Sequence, residues 1–202
     1  MRTARFITAA TLVAASTYGA GCSKSLTVDG SSSIVIIDAI QAASGAIPTA
    51  FSGTLASDVQ TMVPGTSAPV TFDDLGQVTF GLGLKDPGTP TSPAVPTTAN
   101  YVTITSYHVK FVRSDGGTGV PAEFDGAVTV TIGNEPVVAI FTLVRGQAKN
   151  DAPLAALKGP AGTGEISTIV QITFHGTDQT GHAVTVAGQI TVNFADWPDP
   201  VG

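Results

Sequence analysis

Hydrophobic and polar side chains alternate along much of this chain. Val78, Phe80, Leu82 and Leu84 share one parity, with Thr79, Gly81 and Gly83 on the other. Phe124, Val128, Val130 and Ile132 alternate in the same way with Asp125, Thr129 and Thr131. A period of two puts successive side chains on opposite faces of an extended backbone, so each run predicts a strand with one buried and one wet face. The cleanest runs stand near the end. Ile166, Val170, Ile172 and Phe174 form one; Val184, Val186, Ile190, Val192 and Phe194 form the other. The polar segment from Gly176 to Gly181 between them predicts a long antiparallel hairpin.

Departures from simple alternation carry information too. Between Tyr101 and Arg113, Val102 and Ile104 fall on even positions, whereas Tyr107, Val109 and Phe111 fall on odd ones. That change of phase predicts a β-bulge or bend at Thr105–Ser106. The stretches Ser33–Ile40 and Val137–Val144 are apolar on both parities, which predicts central strands, or strands covered on both faces. A shorter strand is expected over Thr54–Val59. Pro87, Pro90, Pro93 and Pro96 make the segment from Asp86 to Asn100 a surface loop. Pro153–Lys158, followed by Gly159–Pro160, predicts a single helical turn within the insertion from Ala148 to Gly164.

About eight strands with no alternating helices predict an all-β fold, an antiparallel β-sandwich, with a barrel as the alternative. Strand number and length resemble those of immunoglobulin-like domains. The Cys…Trp…Cys signature of antibody domains is absent, because Trp197 is C-terminal and Cys22 is the only cysteine. The closing hairpin, with Phe174, a polar turn holding Asp178 and Gly181, and a valine-rich second strand, resembles the end of uncharacterised bacterial envelope lipoproteins. That likeness spans the last third of the chain and implies no activity.

The N-terminus points to an address. Arg2 and Arg5 precede an uncharged run from Phe6 to Ala15, followed by small residues up to Gly21. The apolar run is about half the ~20 residues needed to cross a bilayer, and with its basic start it reads as a secretory signal over residues 1–21. Gly19-Ala20-Gly21-Cys22 resembles the lipobox of bacterial lipoproteins, although Gly19 stands where that family has an aliphatic residue. The resemblance implies a diacylglycerol on Cys22, cleavage just before it, and attachment to the membrane through that lipid. Ser23 after the cysteine implies, by the same resemblance, the outer membrane of a Gram-negative envelope. The resulting organisation is a signal at 1–21, a tether at 22–32, a sandwich domain at 33–197 and a tail at 198–202. Fully extended, the tether reaches roughly 35 Å at about 3.3 Å per residue.

Charge narrows the partners. Removing the signal leaves seven basic against fifteen acidic side chains, a net charge of −8. An acidic surface without a basic cluster argues against nucleic acid and anionic lipid head groups. A single cysteine permits no internal disulfide, so the thiol needs another explanation; the resemblance implies lipidation, and cleavage by an ordinary signal peptidase or a buried free thiol are the competing readings.

Candidate chemistry is sparse. His108, His175 and His182 lack any metal-ligand spacing. His175 and His182 flank the same turn; a metal site there would need a third ligand such as Asp178, and solvent-exposed turn residues are the expected reading. Asp73–Asp74 read as a turn or cap before Leu75 rather than as paired catalytic acids. No dense acidic run suggests calcium, and Gly116-Gly117-Thr118-Gly119, with no following lysine or helix, reads as a hairpin loop. Asp38 and Arg145 fall on apolar parities. They are expected either to sit at strand ends in water or to be paired, Asp38 with Arg145 or Arg113. Tyr101, Tyr107 and Trp197 are the aromatic candidates for a carbohydrate platform. No residue is assigned to catalysis, a cofactor or a metal. The expected function is a non-enzymatic interaction or structural module of the envelope with a protein partner there; the alternatives are a carbohydrate- or peptide-binding module and a hydrolase.

Overall fold

The computed structural model describes residues 30–66, 68–159 and 164–199. The expected signal, Gly19, Cys22 and all of the tether before residue 30 lie outside the described residues. In chain order the strands are β1 (Ser33–Ala43), β2 (Thr54–Asp58), β3 (Asp74–Leu84), β4 (Gly88–Thr89), β5 (Ser92–Pro93), β6 (Val102–Arg113), β7 (Phe124–Ile132), β8 (Val137–Val144), β9 (Ile166–Asp178) and β10 (Ala183–Ala195). A three-stranded sheet has the order β1-β3-β8 and a five-stranded sheet the order β2-β10-β9-β6-β7; β4 and β5 form a small ladder inside the proline-rich loop. Short 3₁₀ turns cover Thr98–Asn100, Gly146–Asn150 and Leu154–Leu157, the last at the predicted helical turn.

The fold is therefore the expected all-β sandwich. With β1, β3 and β8 as strands A, B and E, and β6, β7, β9 and β10 as C, C′, F and G, the order is immunoglobulin-like. One pairing departs from the antiparallel plan. β2 runs parallel to β10, matching Thr54–Asp58 with Thr191–Ala195.

Inward parities of both sheets meet in one aromatic centre. Phe174 of β9 packs edge-on against Phe80 of β3 at 5.0 Å and against Phe141 of β8 at 5.3 Å between ring centroids. Tyr107 of β6 lies 5.0 Å from Phe141, and its hydroxyl donates to the Thr142 carbonyl at 3.0 Å. This is how a tyrosine is kept in a core, with its polar end bonded while the ring packs.

The predicted hairpin is β9–β10, in register from Ile166 opposite Phe194 to Thr177 opposite Ala183. The strands run further than the polar residues suggested, so Gly176 lies inside β9. The bulge predicted in β6 is also present, between Ile104 and Ser106. The two features are one device. Ile104 pairs with Gly176, and a Cβ on Gly176 would stand 2.2 Å from the Thr103 carbonyl oxygen. The extra residue in β6 presses the backbone toward β9, and only glycine leaves room for it.

Two expectations are corrected. β1 and β8 are the edges of the three-stranded sheet, not central strands. Their second apolar parity is exposed: Ile34, Ile36, Val138 and Ile140 are each 43–53% accessible. Asp73 and Asp74 do not form a simple turn. Asp74 opens β3 on the same inward parity as Val78 and Phe80, and it is completely buried.

Buried with Asp74 is Lys149, from the Gly146–Asn150 turn, its Nζ 2.9 Å from Asp74 Oδ1. The Ser57 hydroxyl donates to Asp74 Oδ2 at 2.6 Å, and the Gly45 N–H donates to Oδ1 at 2.9 Å. Burial pushes the Asp74 carboxyl above its ordinary value, opposed by Lys149, Ser57 and Gly45. Asp73 accepts the Gly146 N–H at 2.6 Å, so both carboxylates fasten β3 to this turn.

Asp38 has neither proposed arginine. It is exposed at the β1 irregularity, beside Gly81. Arg145 lies 4.0 Å over the Phe124 ring and donates to the Asp125 carbonyl, while Arg113 pairs with Asp115. A bulged edge residue reaches water without a partner, which is why parity alone overstated the burial of Asp38.

Candidate functional site

Two surfaces stand out. The first lies along β2, the end strand of the five-stranded sheet. Its flank away from β10 pairs with no other strand among the described residues. Facing it is the segment 44–52, and between them is a cavity of about 420 Å³. Ala42, Ala46, Ile47, Ala50, Leu55 and Trp197 supply its apolar walls.

Trp197 reaches this place because β10 runs alongside β2 and the chain continues past its end. The Val59 N–H donates to the Ala195 carbonyl at 3.0 Å, and the Trp197 backbone N–H donates to Asp58 Oδ1 at 3.1 Å. The indole Nε1 is buried and has no hydrogen-bond partner among the described residues. A buried donor left unbonded costs about 1–3 kcal/mol, which is uncommon in a native structure.

Three carboxylates surround this end. Asp58 accepts the Thr61 hydroxyl at 2.8 Å, Asp196 accepts the Gly159 N–H at 2.7 Å, and Asp199 accepts the Met62 N–H at 2.6 Å. Among the described residues none of the three pairs with a lysine or arginine. Burial pushes the Asp58 carboxyl up; hydrogen bonds from Thr61, Trp197 and Gln60 oppose this, and the neighbouring Asp199 adds to it.

The second surface is the outer face of the three-stranded sheet. Ile34 and Ile36 of β1 lie opposite Gly83 and Gly81 of β3; Val138 and Ile140 of β8 lie opposite Thr79 and Gln77. Ile34 and Ile36 fold over Gly83, where a Cβ would stand 2.8 Å from Ile34 Cγ1 and 3.3 Å from Ile36 Cδ1. Asp38 lies beside Gly81 on this face.

The histidines do not converge. His175 contacts Thr185 at 3.4 Å, while His182 binds the Thr180 hydroxyl at 2.7 Å and lies 3.4 Å from Asp178. Both His182 contacts fall on Nδ1, so carboxylate and hydroxyl share one ring nitrogen. A base relay needs them on opposite nitrogens. His108 Nδ1 lies 2.8 Å from Asp125 and its Nε2 3.7 Å from Glu123, on the wet face. Among the described residues no set of histidine and carboxylate ligands has metal-binding geometry.

Asp178 is instead the keystone of the hairpin turn. Its Oδ1 accepts the N–H groups of Thr180 and His182 at 2.9 and 3.0 Å and the Thr180 hydroxyl at 2.7 Å. Burial works against its charge, yet these bonds, together with one from Ser31, hold the carboxyl well below the usual range. A carboxyl depressed in the fold stabilises it above the unfolded value near 3.9, and that contribution is lost as pH falls below it. Asp178→Asn is therefore expected to lower thermal stability at neutral pH. The gap from the parent protein should shrink steadily below about pH 4; a gap constant from pH 7 to pH 2 in calorimetric melts would contradict this account.

The Gly116–Gly119 segment behaves as a loop. Asp115 binds Arg113 through Nε at 2.9 Å and accepts the Gly117 N–H at 2.9 Å, so that donor is already used. Of the aromatic candidates, Tyr107 is in the core and Tyr101 packs beside Gly133. Trp197 alone lines a cavity. Sequence parity did not disclose that cavity, since it arises where segment 44–52, β2 and the chain after β10 meet.

No family model and no curated protein matches this chain. A solved structure, the X-ray structure of Northeast Structural Genomics Consortium target SoR45, matches 84% of this chain and 90% of that one at 14% identity, with a TM-score of 0.34. A likeness at that level bears on neither fold nor function.

Proposed function

We propose that this protein is a non-enzymatic interaction module of a bacterial envelope, held to the outer membrane by a lipid on Cys22. It binds another envelope protein through the outer face of the three-stranded sheet. The observation that carries this reading is the group of four exposed aliphatic side chains, Ile34, Ile36, Val138 and Ile140, on one sheet face. Aliphatic residues scattered over a surface are ordinary; four large ones gathered on one sheet face, two on each edge strand, mark a place of association. The partner is a protein presenting an aliphatic patch of its own, because the acidic mature chain has little to attract an anionic surface.

The double variant Ile36→Lys, Ile140→Glu tests this. Both positions are exposed, so the melting transition should stay within about 0.5 kcal/mol of the parent. Recovery of the partner from cross-linked membranes should fall by an order of magnitude or more, as expected when charges enter the centre of an apolar contact. Equal recovery by variant and parent, or recovery of the bait alone, sinks the reading. Mass spectrometry of the mature N-terminus tests the anchor separately: a free thiol on Cys22 refutes it.

A further inference from the structure

We infer that the open flank of β2, with the cavity beside Trp197, is a docking groove for an extended peptide strand of a partner protein, one that carries an apolar side chain and a basic residue. This site is separate from the aliphatic sheet face.

Four observations converge on it. β2 ends its sheet, and apart from the Thr54 carbonyl, which accepts the Ser52 hydroxyl, its outer flank presents backbone donors and acceptors to an incoming strand. Native proteins usually blunt such an edge with lysine, proline or a covering segment. β2 reads Thr54-Leu55-Ala56-Ser57-Asp58, with neither lysine nor proline, and segment 44–52 stands off from it across a cavity of about 420 Å³. In strand addition, main-chain hydrogen bonds supply affinity and a pocket beside the edge selects alternate side chains. This cavity, walled by Ala42, Ala46, Ala50 and Leu55, has room for the aliphatic side chains of such a strand.

The third observation is the buried indole N–H of Trp197, which has no acceptor among the described residues. A peptide carbonyl supplies one when the indole, which lines the cavity, turns its N–H toward the bound strand. The fourth is charge. Asp58, Asp196 and Asp199 lie together at this end without a lysine or arginine partner among the described residues, so the complementary strand brings a cation. A sugar meets the free N–H equally well, but it uses neither the strand edge nor the uncompensated acids.

Trp197 is the only tryptophan in the chain, so its fluorescence reports directly on the groove. The experiment titrates the full-length protein with a capped hexapeptide alternating valine and threonine and carrying one lysine. Three controls accompany it: the same peptide N-methylated at alternate amides, in both phases; the peptide with glutamate in place of lysine; and a cello-oligosaccharide. Saturable change in Trp197 emission is expected with the lysine peptide. N-methylation in the phase that removes the edge-facing donors should weaken binding at least tenfold, on the scale of one or two lost hydrogen bonds. The glutamate peptide should bind more weakly, by a margin that closes at about 1 M salt, where screening acts within ~3 Å. Ala50→Phe, which fills the cavity from the exposed loop, should abolish the response with the melting transition unchanged; Ala46→Leu serves if that variant does not fold. Equal binding of the parent peptide and both N-methylated forms overturns strand addition, as does saturation by the oligosaccharide alone. Absence of any saturable change overturns the groove as a binding site. None of these outcomes bears on the sheet face, which the cross-linking experiment reads independently.

Discussion

Asp74→Ala is expected to destabilise the domain by about 3–5 kcal/mol, the loss seen when one partner of a buried ion pair is removed. Lys149 is 1% exposed and its ammonium lies 2.9 Å from Asp74. Without the carboxylate it is a buried charge among groups that do not neutralise it. The same change leaves the Ser57 hydroxyl and the Gly45 N–H without their acceptor. Lys149→Met should cost less. Asp74 then keeps both neutral donors, and burial already favours its protonated form. The double variant Asp74→Leu, Lys149→Met should recover much of the loss, because a well-packed apolar pair replaces an ion pair at little cost. Urea denaturation of the four proteins reads the ordering directly. If the lysine variant proves worse than the aspartate variant, the asymmetry argued here is wrong.

Phe174→Ala should be comparably damaging, at about 3–5 kcal/mol. Phe174 is fully buried and stands 5.0, 5.3 and 6.2 Å from the rings of Phe80, Phe141 and Tyr107. Its removal takes the common member out of three aromatic contacts and leaves a void bounded by both sheets. The surroundings resist collapse into that void, since Tyr107 is held by its hydrogen bond to Thr142. Val95→Ala, at a residue 73% exposed in the proline-rich loop, should change stability by less than about 0.5 kcal/mol. A Phe174→Ala protein that unfolds at the parent's urea midpoint would mean that the two sheets do not depend on this centre.

Much of the fold was legible because alternation is a local signal. The phase change at Thr105 located a bulge to within a residue, since an extra residue must invert every side chain that follows it. The same reasoning was available for Asp74, which shares the parity of Val78 and Phe80. A pair of adjacent acids reads as a turn until its buried lysine is known, and Lys149 lies 75 residues away. For β1 and β8 the pattern was read correctly and its cause was not. Aliphatic residues on both parities suit a strand covered on both faces, and equally an edge strand whose outer face is exposed. Alternation within one chain does not separate these. The groove beside β2 was the least legible feature. It joins Asp58 to Trp197 across 139 positions, and a wall built from alanines gives no periodic signal.

The parallel ladder between β2 and β10 has a mechanical consequence. It ties an early strand to the last one over five residue pairs, Thr54–Asp58 against Thr191–Ala195. Tension applied between the N-terminal side of β2 and the C-terminal side of β10 runs along those strands in opposite senses. It therefore loads the ladder in shear, so that its hydrogen bonds must yield together rather than one after another. Resistance to such a pull is governed by the rate of rupture rather than by equilibrium stability. A pull that enters at Ser33 acts first on β1 and its pairing with β3, and reaches this ladder only beyond it.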